Sequence, residues 1–420
     1  MKIMVVGGGG REHTLIWKIA QSPLVKKIYC APGNAGISEV GECVDIDVKN
    51  IERLAEFAKD KNIDLTVVGP EIPLVAGIVN VFEKNGLKIF GPSKDAAQLE
   101  GSKIFAKNLM TKYGIPTAKY KVFDNPEKAQ DFIKEIGPPV VIKADGLAAG
   151  KGVIISNTQQ EAESAIKKIM EDKEFGDAGD KIIVEECLEG RELSILAFTD
   201  GKTVIPMISS QDHKRVYDND KGPNTGGMGA FAPSPFYTSE LAQMVEEEVL
   251  KKTVNAMKME GITYKGILYA GLMLTSEGVK VLEYNCRFGD PETQAVLPLL
   301  DTDLIEIMEA VVEDRLDEMT IKWKNKSAVC IVMSSKGYPA EYEAGLEIKG
   351  LEDVKGLNEI FIFHAGTTFE NGKITTSGGR VLGITALGDK IETAAKEAYK
   401  GVKSIYFEGA HYRKDIGDNI

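Results

Sequence analysis

The sequence predicts a multidomain chain: α/β at its N-terminus, with a doubly wound parallel sheet, then an α+β region with a mobile lid and a C-terminal α+β domain. Three observations carry that reading. The 420 residues, 43% of them hydrophobic, exceed what one compact core needs and imply roughly two to four packed units. Residues 1–100 alternate short apolar runs with helical patterns, as a parallel sheet with crossover helices requires. Gly114-Ile115-Pro116 then breaks the pattern and marks a hinge, past which the texture changes to strand-like runs.

Strands are expected at 2–6, 27–30, 64–68 and 87–90, and helices at 11–21, 51–61, 73–85 and 102–113. Pro73 stands near a first helical turn, where a missing N–H costs nothing. Past the hinge, 139–143, 153–156, 181–186 and 192–198 read as strands and 161–170 as a helix, which together suggest the lid. A long amphipathic helix at 239–260 leads into a hairpin, 266–274 and 279–284, turned at Ser276-Glu277-Gly278. The last region has strands at 328–333, 360–364 and 380–386 and a closing helix at 390–403. These patterns divide the chain into an N-terminal domain (1–117), the lid (118–188), a central domain (189–320) and a C-terminal domain (321–420).

Charge and composition exclude several classes. The formal net charge is -12, from 63 acidic against 51 basic residues, and no block of lysine or arginine could track a nucleic-acid backbone, so no nucleic-acid partner is expected. Cys30, Cys43, Cys187, Cys286 and Cys330 are scattered, without Cys-x-x-Cys spacing or a nearby histidine, and read as reduced, mostly buried thiols rather than a zinc site. The apolar stretch 3–6 is too short for a signal-peptide core, and no run elsewhere could span a bilayer. A soluble cytoplasmic protein with no membrane partner is expected.

Four glycines, Gly7 to Gly10, followed by Arg11-Glu12-His13, sit where the first strand meets the first helix, so backbone N–H groups and the helix dipole offer a place for a phosphate. A dinucleotide fits badly, because Glu12 takes the place of the third glycine and the second strand ends at Ala31-Pro32-Gly33-Asn34 with no acid for a ribose. Glycines serving only a tight turn remain an alternative. Asn34 and Glu71 close two further strand ends on the same carboxyl edge of the sheet.

Lys143 ends a strand and is followed by a small-residue loop, Asp145 to Gly152, that opens another strand. Such a loop can fold over phosphates, with Gly146, Gly150, Lys151 and Gly152 at the nucleotide. It is not a P-loop, since three residues separate Gly146 from Gly150 and Gly152 follows Lys151. Flexible glycines between antiparallel strands suit a lid that shuts out water. Glu185, Glu186 and Glu192 would, on spacing alone, be solvated surface.

The densest polar chemistry lies at residues 282–292. Side chains two apart on a strand share a face, so Glu283 and Asn285 stand about 7 Å apart and can converge on one ion. Carboxylate and amide oxygens are hard ligands suited to Mg²⁺ that also holds triphosphate oxygens. Arg287 can clamp a carboxylate or phosphate with its fork of donors. Residues 209–215 and 222–229 both read as loops. The first offers Asp212 for an amine and bases for a phosphate; His213 reads as a structural hydrogen-bonder.

Together these motifs resemble the glycinamide ribonucleotide synthetase family of the ATP-grasp superfamily. The resemblance rests on GGREHT (9–14), APGNAG (31–36), VGPE (68–71), FGPS (90–93), LEGSK (99–103), KADGLAAGKGV (143–153), SQDHKR (210–215), GPNTGGMGA (222–230), EYNCRFGDPETQ (283–294) and GGRVLGITALG (378–388), and it covers the whole chain. It implies a pre-ATP-grasp N-terminal domain followed by an ATP-grasp fold with a lid and a C-terminal domain. It also implies an ATP-dependent ligase that joins glycine to 5-phosphoribosylamine through glycyl phosphate, the second step of purine biosynthesis. Lys103 and Lys143 would contact phosphates, Glu185 and the backbone of Leu188 adenine, with Glu186 beside them, and Glu192 the ribose. Glu283 and Asn285 would bind Mg²⁺, or Mn²⁺ in its place. The hairpin's other strand, Tyr269-Ala270-Gly271-Leu272, offers no acid for a second ion.

On that reading Gly9, Gly10, Asn34 and Glu71 would hold the phosphoribosyl group, and Asp212 and Arg287 glycine. Arg287, Asp212 and Lys143 would be the catalytic groups. The partners are small molecules, with transient hand-over of the amine from the enzyme that makes it, and the chain is a monomer or small homo-oligomer. Three other readings stay open: another carboxylate–amine ligase or carboxylase of the superfamily, an NAD-dependent oxidoreductase, and a non-catalytic nucleotide sensor.

Overall fold

The computed structural model describes residues 1–148 and 152–418. Strands β1 (Lys2–Gly7), β2 (Lys27–Pro32), β3 (Glu42–Cys43), β4 (Leu65–Val68) and β5 (Ile89–Phe90) form one parallel sheet in the order β3-β2-β1-β4-β5. Ile3, Met4, Val5 and Val6 are wholly buried because helices cover both faces, which is why the strand is a continuous apolar run. The strand order reverses at β1, so the carboxyl edge beside Gly7 borders the crevice where such sheets take ligands. The single helix expected at 73–85 is two, Glu71–Ala76 and Ile78–Lys84. Gly77 separates them in a left-handed conformation (φ 97°), a break the apolar periodicity does not reveal.

The lid is an antiparallel sheet of β6 (Tyr120–Phe123), β7 (Val140–Ala144), β8 (Val153–Ser156) and β9 (Ile182–Glu186), in the order β6-β9-β7-β8. Its own small core joins Phe123, Val140, Ile142 and Val184 to Ala129 and Ile133 of a helix at Pro126–Ile136 and to Ala162 and Ile166 of one at Gln159–Ile166. The first of these helices was not expected, although Asn125 caps it and Pro126 occupies its first turn.

The next strands are β10 (Arg191–Thr199), β11 (Val204–Pro206), β12 (Gln211–Asp212), β13 (Arg215–Tyr217), β14 (Lys221–Asn224), β15 (Gly229–Ala232), β16 (Gly266–Thr275) and β17 (Gly278–Asn285). The run at 192–198, read together with the lid strands, belongs to a different sheet, β11-β10-β16-β17. The loops expected at 209–215 and 222–229 are corrected too: β12 pairs with β15, and β13 with β14. Gly222 enters a strand because Tyr217 packs over it; a Cβ there would stand 2.6 Å from the ring.

The remaining strands are β18 (Ser327–Ser334), β19 (Ile360–His364), the hairpin β20 (Thr367–Glu370) and β21 (Lys373–Thr376), and β22 (Arg380–Gly388). One sheet, β12-β15-β18-β22-β19, joins Asp212's strand to the C-terminal segment, and the helix Ile391–Ser404 packs on it. That shared sheet lets C-terminal side chains reach the central cavity.

Candidate active site

A cavity of about 640 Å³ opens between the N-terminal sheet, the lid, the β16–β17 hairpin and the C-terminal segment. At one end stand Lys143 on β7 and Glu185 on β9, side by side because Val141 and Glu185 are paired in register. Glu185, read from spacing as surface, is 2% exposed and lies between two ammonium groups, Lys143 Nζ at 3.0 Å from Oε2 and Lys107 Nζ at 3.1 Å from Oε1. Glu186 accepts the backbone N–H of Lys119 at 2.9 Å, and Leu188 continues the wall. Glu192 pairs with Lys214 at 2.9 Å.

Lys103 follows along the cleft. Its ammonium donates to Gly146 O at 2.8 Å and has no carboxylate partner among the described residues; burial pulls its pKa down, with Glu283 opposing. Asp145 accepts from Ser102 Oγ (3.0 Å) and Ile104 N (3.1 Å), which fixes the start of the small-residue loop against the helix Lys103–Tyr113. Gly146 and Gly152 line the cleft; Gly150 and Lys151 lie outside the described residues.

Glu283 and Asn285 lie on β17 opposite Gly271 and Tyr269, so the facing strand supplies no second acid there. Burial works against the Glu283 charge, yet Lys214, Lys143, Lys103 and Arg287 together hold its carboxyl below the usual range. Among the described residues no group of three or more His, Cys, Asp or Glu could hold a metal. Two oxygen donors suit an ion that keeps water and substrate phosphates as its other ligands, as Mg²⁺ does.

At the far end Arg287 meets Glu71 (3.2 Å), Glu100 (3.1 Å) and Asn285 Oδ1 (3.0 Å). Arg11 and Arg287 both donate to Phe288 O at 3.2 Å. Arg380, from the C-terminal sheet, pairs with Asp290 at 3.2 Å and donates to Gly226 O at 2.6 Å. Glu292, 3% exposed, accepts from Tyr269 Oη at 2.6 Å. Asp212 has no hydrogen-bond or ion-pair partner for its carboxylate among the described residues. Burial pushes its pKa up to about 8, with Glu292, Glu192 and Glu283 adding to the shift and Lys214 opposing it.

The predicted residues Lys103, Lys143, Glu185, Glu192, Glu71, Asp212, Glu283, Asn285 and Arg287 therefore share one cavity. Gly9, Gly10 and Asn34 do not line it. Gly9 N–H donates to Glu12 Oε2 at 2.6 Å, which sets a carboxylate where a phosphate was expected. Gly10 faces Gln294, and the Asn34 amide donates to Gly8 O and His364 O, both at 2.8 Å. Sequence reasoning missed Lys107, Glu292 and Arg380. Lys107, four residues after Lys103 on one helix, shares its face, a signal the sequence did carry.

A lid sheet with a small-residue loop, buried lysines beside Glu185 and a strand presenting two hard oxygen donors define an enzyme of the ATP-grasp class. Models of phosphoribosylglycinamide synthetase match its N domain at residues 1–100, its ATP-grasp (A) domain at 101–293 and its C domain at 328–419. The chain belongs to the phosphoribosylglycinamide synthetase family. It is 58% identical to a phosphoribosylamine–glycine ligase of Caldanaerobacter subterraneus over 99% of both chains. The crystal structure of a phosphoribosylamine–glycine ligase from Thermotoga maritima superposes with a TM-score of 0.87 at 34% identity, covering 99% of this chain and 100% of that one. The biotin carboxylase domain of a Hydrogenobacter thermophilus 2-oxoglutarate carboxylase shares the fold, with a TM-score of 0.76 at 17% identity over 98% of this chain and 91% of that one. No helix among the described residues is long and apolar enough to cross a membrane.

Proposed function

We propose that the chain joins glycine to 5-phosphoribosylamine at the expense of ATP, in the cytoplasm, as a step of purine biosynthesis. One observation carries the reading: the cavity's unpartnered ionisable groups lie at two places. Among the described lining residues, Lys103 is the cation without an acid, and Asp212 and Glu292 are the acids without a cation. A triphosphate suits the first place and an ammonium group the second, because a cation there opposes the burial and neighbouring acids that raise the Asp212 pKa and restores its charge.

Glycine's carboxylate resists attack by amines, so its activation must come first. Its ammonium lies at Asp212 and its carboxylate at Arg287, whose fork matches two oxygens. The carboxylate attacks the γ-phosphorus of ATP in line, giving glycyl phosphate and ADP, while Lys103 and Lys143 stabilise the charge on the transferring group. Mg²⁺ held by Glu283 and Asn285, or Mn²⁺ in its place, supplies charge neutralisation at the phosphates when bound. Glu185 and Leu188 hold adenine and Glu192 the ribose. Glu185 Oε1 supports this, because it is a buried acceptor with only Lys107 beside it among the described residues, and an exocyclic amino group supplies a second donor.

Glu71, with Arg11 beside it, marks the phosphoribosyl end. The amine of phosphoribosylamine attacks the acyl carbon, its C–N bond forms as the C–O bond to phosphate breaks, and the departing phosphate carries the lost proton. Lid closure protects the acyl phosphate from water. The test is ADP release with glycine and phosphoribosylamine supplied singly and together. Full release is expected only with both; release that ignores the amine refutes the proposal.

A further inference from the structure

The lysine that sequence reasoning missed has no place in the chemistry above, yet it is built into the nucleotide end of the cavity. Lys107 is 2% exposed on the helix Lys103–Tyr113, one turn beyond Lys103. Its ammonium lies 3.1 Å from Glu185 Oε1, and burial pulls its pKa down to about 8 against the attraction of Glu185. It donates to Thr117 Oγ1 at 2.7 Å, and Thr117 Oγ1 in turn donates to Val281 O at 2.7 Å. The chain of contacts therefore runs from the helix, through the hinge, to strand β17, and meets the lid at Glu185.

The Lys107–Glu185 contact is close but leaves bonding capacity on the carboxylate. The distance makes an ion pair, but Glu185 Oε1 still has no aligned hydrogen-bond donor among the described residues. Lys107 donates to Thr117, and that bond holds the ammonium to one side of Glu185 Oε1, where it stands 3.1 Å away. Lys143 holds the other oxygen at 3.0 Å. Glu185, a 2% exposed residue of the cavity lining, is thus pinned at both oxygens, while Oε1, which can accept two hydrogen bonds, keeps a lone pair for a further donor. A carboxylate only accepts hydrogen bonds. A purine whose ring carries an amino group at that point satisfies it, whereas one with a carbonyl there sets acceptor against acceptor.

We propose that Lys107, held by Thr117, is a positioning residue that fixes Glu185 as an acceptor, and so makes the site choose a 6-amino purine over a 6-oxo purine. The inference rests on the reading of Glu185 as the adenine contact. Without Lys107 the carboxylate is tied at one oxygen only and swings towards Lys143, which withdraws the acceptor from the base. Without the Thr117 hydroxyl the charge remains, but the ammonium loses the anchor that keeps it to one side of Oε1 and moves across the lone pair the base would use.

The experiment measures binding of MgADP and MgIDP, nucleotides that differ at this position, by calorimetry on the full-length protein and its Lys107→Met and Thr117→Val variants. The wild type is expected to prefer MgADP by about 30-fold, the size set by one buried polar group left unpaired. Lys107→Met should reduce the preference to about threefold or less, mainly by weakening MgADP. Thr117→Val, which keeps every charge, should move it in the same direction by a smaller factor. An equal loss of both nucleotides in Lys107→Met would make the lysine a packing element only and overturn the proposal. So would an unchanged preference in Thr117→Val, or a wild type that binds the two alike. Because no turnover is measured, a failure of the ligase reading shows separately, as absent glycine-dependent ADP release from a protein that still distinguishes the two nucleotides.

Discussion

Replacing Arg287 by methionine removes one guanidinium from between two carboxylates and keeps most of the side-chain volume. Glu100 is the more buried partner, its side chain 8% exposed against 23% for Glu71. Opposite charges about 4 Å apart attract by about 4 kcal/mol at an effective dielectric constant near 20. Breaking a buried pair by removing one member costs about 3–5 kcal/mol. Glu71 is the more open of the two and keeps Arg11 nearby, so most of the loss belongs to Glu100. In the wild type, burial already raises the Glu100 carboxyl above its usual range while Arg287 opposes the rise. In the variant the rise is larger. A carboxyl raised in the folded state contributes stability at pH below its unfolded value and loses it as pH climbs through the folded value. The variant's deficit is therefore expected to be about 3–5 kcal/mol at pH 8 and to shrink as pH falls towards 5, by up to about 1.4 kcal/mol per unit. Urea unfolding at the two pH values measures it. A deficit equal at both, or none at pH 8, refutes the reasoning. The same variant should use glycine at least about 100-fold less efficiently, with its carboxylate clamp gone.

Lys103→Met loses an ammonium that has no acid partner among the described residues, but only one hydrogen bond of the fold, so nucleotide affinity should fall about tenfold with the melting temperature nearly unchanged; calorimetry and thermal unfolding check the pair. Glu283→Gln should raise the Mg²⁺ concentration for half-maximal activity by about 10–100-fold, because it strips the charge from one of two oxygen donors; a metal titration that superposes on the wild type contradicts this. His13 and His364 are buried where the first helix meets the C-terminal sheet, and burial lowers them to about 3 and about 4. The unfolded chain binds their protons first, so stability is complete above about pH 6.5 and falls below it, by up to about 1.4 kcal/mol per unit for each imidazole. His364→Gln should flatten the acid limb of the stability profile.

Much of the lining of this cavity was legible because its signals are local. Glu283 and Asn285 were placed by strand alternation, Lys143 by its position before a small-residue loop, and Arg287 by its neighbours. The residues that escaped act through distant partners. Arg380 reaches Asp290 and Gly226, and Glu292 reaches Tyr269 and Ser194, contacts that no spacing records. For the same reason the strand at 192–198 was seen but grouped with the lid strands, since alternation shows a strand and not its partner. Glycine richness misled at 222–229, where Gly222 is required by the packing of Tyr217 inside a strand. At the first loop the signal was present and went unused: Glu12, third residue of its helix, caps Gly9 and takes the donor that a phosphate would need.

In the proposed reaction ATP activates glycine at its own carboxylate before the amine attacks. Glycine labelled with ¹⁸O in both carboxylate oxygens tests this directly, through mass analysis of the phosphate released in the complete reaction. One labelled oxygen in each phosphate is predicted, because the bond broken by the amine lies between the acyl carbon and an oxygen that glycine supplied. Phosphate without label would contradict the account.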